Sequence, residues 1–313
     1  MTARKRLVVA CPHGFCAGVR RAVDAVEAAL RNFPPPVYCF NEIVHNRRIV
    51  DDLAGRGVVF VRDVADVPEG AVLLFSAHGV TPAVRAAAGR RGLTVVDATC
   101  PFVTKVHSEV KRFAARGYGI VLIGKRGHDE VVGVAGEASE HVTVVESVDD
   151  ACRLAVPDPS RVAVVTQTTL SVDETEAVMR VLRERFPALE IPAGSDICYA
   201  TTNRQEAVRR VAAVTDRILV LGAHNSSNTN RLVEVARRAG TPADLVCDLD
   251  ELAAVPLDEV RAVGVTAGAS TPQPFVDRVL ERLRAQGFRD EDVLSVADEA
   301  IRFTLPAAVR ECG

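Results

Sequence analysis

Three cysteines stand where a helix is about to begin: Cys16 in "FCAGVRRAV", Cys100 in "TCPFVTKVHSEV" and Cys198 in "ICYATTNRQEAV". A thiol there sits in the positive end of the helix dipole, which favours the thiolate, the form that binds metal. Pro101, directly after Cys100, suits a first helical position. Three thiolates gathered in an apolar cavity repel one another unless a cation neutralises them, and an iron–sulfur cluster or a zinc ion can do so. Three protein ligands instead of four leave one position open, where a metal can act on a substrate as a Lewis acid.

Polar loops follow each cysteine at matched distances. Cys16 leads to His45 (45 − 16 = 29), Cys100 to His128 (128 − 100 = 28) and Cys198 to Ser226 (226 − 198 = 28). A second loop follows each: "FSAHGVTP" with His78, "VTQTTLS" with Thr168 and "VTAGASTP" with Ser270. His45, His78, His128, Ser226, Ser227, Asn228 and Ser270 are compact hydrogen-bond donors, and "NSSNTN" before a helix adds backbone N–H groups, a set that suits a phosphate or diphosphate. Glu130, two residues after His128, is a candidate proton source.

The elements that must position these residues alternate. Short β-branched runs such as 6–10, 37–40, 71–75, 119–124, 161–165, 217–222 and 262–266 read as strands, and amphipathic stretches at 17–30, 171–185, 203–214, 228–239 and 275–286 read as helices. Strand–helix alternation implies an α/β fold with parallel sheets covered on both faces. The matched spacings divide the chain into three copies of one α/β unit, 1–98, 99–196 and 197–313, the last with a C-terminal tail. Ligands of such sheets bind beyond the carboxyl ends of the strands. Three units about a pseudo-threefold axis would turn those ends toward one shared cavity.

The totals set outer limits. The 313 residues are 48% apolar and 25% charged with a net charge of −3, a globular composition with no electrostatic case for nucleic acid. No window approaches a membrane span, and the apolar run near the start ends at Cys11, too early for a signal peptide, so the reading is cytoplasmic. None of the eight cysteines forms a C-x-x-C pair, which argues against a zinc ribbon. Cys39, Cys152, Cys247 and Cys312 read as small hydrophobes or surface thiols, and His107 and His141 as structural. Cys11 and His13 flank the "PHGFC" turn with no assigned role.

Taken together, "GFCAGVRRAV", "EIVHNRRIVDDL", "FSAHGV", "DATCPFVTKVH", "GHDEVVG", "TQTTLSVDET", "ICYATTNRQEAV", "NSSNTNRL" and "GASTP" resemble the IspH (LytB) family of 4-hydroxy-3-methylbut-2-enyl diphosphate reductases, from about residue 6 to residue 280. The resemblance implies a trefoil of three α/β domains around a central iron–sulfur site. It implies a [4Fe–4S] cluster held by Cys16, Cys100 and Cys198 with one open iron, which oxygen degrades to [3Fe–4S]. It assigns the diphosphate to His45, His78, His128, Ser226, Ser227, Asn228 and Ser270, the proton relay to Glu130 with Thr168, the substrate's hydroxyl end to Thr168 with Gln167 beside it, and the cavity wall to Thr201. His13 and Asp129 depart from the arginine and proline usual at those places, which touches loop rigidity and no assigned site residue.

The reaction so implied is reductive dehydroxylation of an allylic diphosphate, last in the methylerythritol phosphate route, giving isopentenyl and dimethylallyl diphosphate. No G-x-G-x-x-G after a strand and no Walker lysine motif is present, so electrons come from an external ferredoxin or flavodoxin. Three other readings share the three thiols: a quinolinate-synthase-like dehydratase, whose carboxylate substrates call for loop arginines or lysines; a non-enzymatic iron–sulfur sensor; and a zinc enzyme.

Overall fold

The computed structural model describes residues 5–310, so Cys312 lies outside the described residues. Twelve strands alternate with helices: β1 Lys5–Cys11, β2 Val37–Phe40, β3 Val58–Val61, β4 Val72–Phe75, β5 Thr94–Asp97, β6 Gly119–Ile123, β7 Val142–Val145, β8 Val162–Thr166, β9 Arg217–Leu221, β10 Ala243–Val246, β11 Ala262–Ala267 and β12 Phe288–Ser295. They form three sheets, ordered β3-β2-β4-β5, β7-β6-β8 and β10-β9-β11-β1-β12, and every strand pairing is parallel. The chain divides into two compact units. One comprises residues up to Ala17, His45–Ile49 and Tyr199–Ile301; the other comprises Gly18–Val44, Val50–Cys198 and residues from Arg302 onward.

Parallel strands need helical crossovers, so their faces are buried and their sequences run apolar. In the first unit, Leu7, Leu219, Leu221 and Val265 pack on Phe275, Val276 and Leu283 of helix Gln273–Ala285. On the other face Val8, Ile218 and Val220 meet Val208, Val211 and Leu232 from helices Tyr199–Ala212 and Ser227–Arg238. In the second unit, β6 and β8 are covered in the same way on both faces.

One strand-order rule recurs. In the sheet of β3-β2-β4-β5, β2 runs into the loop of His45, β4 into that of His78, and β5 toward Cys100. In the next, β6 runs into the loop of His128 and β8 into that of Thr168; Glu190 then bridges Ala163 before the chain reaches Cys198. In the third, β9 leads to Ser226, β11 to Ser270 and β1 to Cys16. Each cysteine thus follows a strand or bridge of the sheet whose polar loop anchors it, where the matched spacings had it opening a segment. β1, read with residues 1–98, is hydrogen-bonded between β11 and β12. The stretch after "GASTP" adds the edge strand β12 to the third sheet.

Candidate functional site

The backbone of each helix-start cysteine is tied to the polar loop beside it. Cys100 N–H donates to Ala77 O (3.0 Å), Cys198 N–H to Thr168 O (3.1 Å) and Cys16 N–H to Ala269 O (3.2 Å). The partners lie in "FSAHG", "TQTT" and "GAST", so one hydrogen bond repeats three times. Helices Ala17–Asn32, Pro101–Ala115 and Tyr199–Ala212 begin one residue after these cysteines. At Cys100, φ −59° and ψ 135° are the extended geometry of a cap, Pro101 occupies the first turn, and the thiol makes no capping hydrogen bond. All three thiols are half-buried and in no disulfide. This donor set suits a soft metal group. Cys39 differs: it is fully buried and burial pushes its thiol up.

In the second unit the acid stands beside its hydroxyl partner. Glu130, 2% exposed, accepts from Thr168 N–H at Oε1 (2.7 Å) and from Thr168 Oγ1 at Oε2 (3.0 Å). His128 caps helix Asp129–Ala135, its Nδ1 accepting from Glu130 N–H (3.2 Å), which leaves the other ring nitrogen to carry the proton when the ring is neutral. The His78 ring meets His128 edge-on with centroids 5.7 Å apart. Gly79, at φ +78°, is confined to glycine both by that angle and because a Cβ would come within 2.7 Å of His107 Nε2. Gln167 is occupied by the scaffold: its carbonyl accepts from Lys125 N–H (3.0 Å) and its amide donates to Thr169 Oγ1 (2.9 Å).

The first unit holds the hydroxyl-rich loops. Ser226 caps helix Ser227–Arg238, its Oγ accepting from Thr229 N–H (3.3 Å). Asn228 Oδ1 accepts from Ala269 N–H (2.9 Å) and its amide faces Thr201 Oγ1 (3.5 Å). Ser270 Oγ donates to His45 O (3.1 Å), and Asn46 donates to Ser270 O (2.8 Å). Asn228 follows Ser226 by two residues, as Glu130 follows His128, and each binds a backbone N–H of the neighbouring loop. Two equivalent places therefore carry an amide and an acid, and only the acid has a carboxyl proton to give.

Several supporting residues give no local sequence signal. Arg204, 0% exposed, donates to Gly14 O (2.8 Å) and Ala200 O (3.0 Å) and pairs with Glu299 (3.0 Å), so it anchors the turn before Cys16. Gly14 itself has φ +69°. His13 Nδ1 bonds Ala10 O (2.6 Å) in that turn. Tyr199 Oη accepts from Ala17 N–H (3.3 Å), and burial is the main reason its hydroxyl rises to about 12. Arg21 donates to Thr304 O (2.9 Å) and Thr99 O (3.0 Å), fastening the loop of Cys100 under the C-terminal segment. Their partners lie up to 283 residues away, beyond the reach of local pattern. His107 is buried against Glu137 (2.7 Å) and is structural, as is exposed His141, whose Nδ1 bonds Tyr118 O (3.1 Å). Among the described residues no helix is long and apolar enough to cross a membrane.

The chain is an α/β protein of parallel sheets, with a thiol just before each of three helices and a buried acid bonded to one of the loops that anchor those thiols. The chain belongs to the LytB protein family, whose model matches residues 7–284. It is 52% identical to the 4-hydroxy-3-methylbut-2-enyl diphosphate reductase of Nocardia farcinica over 307 residues, 98% of this chain and 91% of that protein. Against the reductase of the same name from Mycobacterium ulcerans the identity is 51% over 308 residues, 98% of this chain and 93% of that one. The solved structure of the E-1-hydroxy-2-methyl-but-2-enyl-4-diphosphate reductase from Plasmodium falciparum matches with a TM-score of 0.94 at 36% identity, covering 98% of this chain and 97% of that chain. A second solved structure, of an (E)-4-hydroxy-3-methyl-but-2-enyl diphosphate reductase, matches with a TM-score of 0.66 at 32% identity, covering 90% and 99%.

Proposed function

We propose that this protein is a cytoplasmic 4-hydroxy-3-methylbut-2-enyl diphosphate reductase. The reaction takes in two electrons and two protons, releases the allylic hydroxyl as water, and leaves isopentenyl or dimethylallyl diphosphate. Cys16, Cys100 and Cys198 hold a [4Fe–4S] cluster, and three α/β segments contribute one thiolate each. When bound, the cluster supplies single electrons from an external ferredoxin or flavodoxin, and a Lewis acid for the leaving oxygen.

The chain's own residues supply position and protons. Glu130 holds the proton that the departing hydroxyl takes; Thr168 orients that carboxyl through its N–H and Oγ1. Gln167 acts through the loop it braces. Ser226, Ser227 and the N–H groups opening helix Ser227–Arg238 receive the diphosphate, with Asn228, Ser270, His45, His78 and His128 adding donors. Thr201 lines the cavity beside Asn228. Binding energy at the diphosphate, remote from the reacting carbon, fixes the hydroxyl against the acid.

The observation that carries this reading is the buried Glu130–Thr168 pair on the very loop to which Cys198 is tied. The test is anaerobic purification, iron and sulfide analysis, and product formation with a reduced viologen dye. Iron and sulfide at cluster levels with conversion of the allylic diphosphate is expected. Zinc in place of iron, or turnover without electron consumption, would overturn it.

A further inference from the structure

Two neighbouring strands of the first unit bring together three ligand types that the reductase chemistry does not use. His224 lies in the loop after β9, two residues before Ser226. Cys247 directly follows β10. Glu251 sits in the first turn of helix Leu249–Ala254. Their imidazole nitrogen, sulfur and carboxylate oxygen lie within 4.8 Å of one another, and His224 Nε2 is 3.0 Å from Glu251 Oε1. Donor atoms around a tetrahedral zinc ion, at bonds of about 2.0–2.3 Å, stand about 3.3–3.8 Å apart. The three therefore need only side-chain adjustment to meet one ion.

Each is already held. Glu251 Oε2 accepts from Cys247 N–H (2.7 Å), which leaves Oε1 turned to His224. Asp248 caps the helix through the N–H groups of Asp250 (2.9 Å) and Glu251 (2.8 Å). Arg48 donates to Cys247 O (3.0 Å), and Asn230 to His224 O (2.7 Å). Outer hydrogen bonds of this kind fix ligand orientation in metal sites. The side chains of His224 and Glu251 are 70% and 36% exposed, so an ion enters from solvent and water completes its shell.

We propose that His224, Cys247 and Glu251 form a binding site for a thiophilic divalent cation, with Zn2+ the best match to a histidine, cysteine and carboxylate set. Binding replaces the thiol proton: Zn2+ and Cys–SH give the zinc thiolate [Cys–S–Zn]+ and a released H+, with no change of oxidation state. The proposal uses none of the residues assigned to cluster or diphosphate and stands apart from the reductase reading.

The test is timed iodoacetamide alkylation of the cluster-loaded protein, with and without Zn2+, read peptide by peptide by mass spectrometry. Zinc is expected to slow modification of Cys247 about tenfold or more and to leave exposed Cys152 unaffected. His224→Ala and Glu251→Gln should each abolish the protection. Equilibrium dialysis should find one more zinc on the parent than on Cys247→Ser. Equal modification of Cys247 with and without zinc, or protection that survives both substitutions, would overturn the proposal.

Discussion

Glu130→Gln separates the acid from the scaffold around it. Glutamine has the same length, its carbonyl can keep the Thr168 N–H held at 2.7 Å, and its NH2 meets Thr168 Oγ1, which turns from donor to acceptor. Both hydrogen bonds of the protonated acid keep a neutral counterpart worth about 0.5–1.5 kcal/mol, so folding stability should change by no more than about 1 kcal/mol. The barrier should change far more: loss of a positioned acid slows a reaction by about 10²–10⁴-fold, or about 2.7–5.4 kcal/mol. Glu130→Ala would confuse the two effects, because a stranded Thr168 N–H costs about 1–3 kcal/mol. The assay is anaerobic turnover beside thermal unfolding and iron content. Turnover within about threefold of the parent, a difference of about 0.7 kcal/mol, at unchanged iron would refute the proton assignment.

Other substitutions probe the supports. Cys100→Ser should remove iron yet leave the fold as stable or more so by about 0.5–1 kcal/mol, since serine caps helices better than cysteine and the thiol caps nothing; metal analysis with thermal melts checks both. Arg204→Met strands Glu299 and the carbonyls of Gly14 and Ala200, and should cost about 3–5 kcal/mol in urea unfolding. Burial, then the nearby Asp196 carboxylate, raises Glu109 to about 7. The folded protein thus holds that proton more tightly than the unfolded chain, a contribution present below the ordinary value of 4.5 and lost as pH climbs through about 7. Glu109→Gln should therefore match the parent near pH 4 and exceed it by about 1–3 kcal/mol at pH 8, read as urea midpoints across pH.

The helix-start cysteines and polar loops were legible because each is local: a capping position, a strand end, a fixed interval along the chain. Strand partners were not. Nothing in "RLVVA" tells it to pair with 262–265 and not with 37–40, since both neighbours are equally apolar and both pairings parallel. The phase of the repeat escaped for that reason. Spacing alone groups Cys100 with Thr168, whereas hydrogen bonding groups it with Ala77. Arg204 carries no local signal of its burial, and only Glu299, 95 residues on, explains it. Gln167 could be named from its motif, but not that both ends of its amide serve the loop.

The position of β1 bears on how the protein is made. Among the described residues β1 precedes every other strand, yet it is flanked in its sheet by β11 and β12, the two farthest from it along the chain. Its edges stay open until the ribosome has delivered residue 295, because contacts so distant in sequence cannot form on a nascent chain. The carbonyl that anchors Cys16 belongs to Ala269 and arrives equally late. A chain truncated before β12 therefore leaves β1 with an unpaired edge, and one truncated before Ala269 also lacks the anchor of its first thiol. The Cys16 thiol proposed for the cluster is therefore placed only once Ala269 is present.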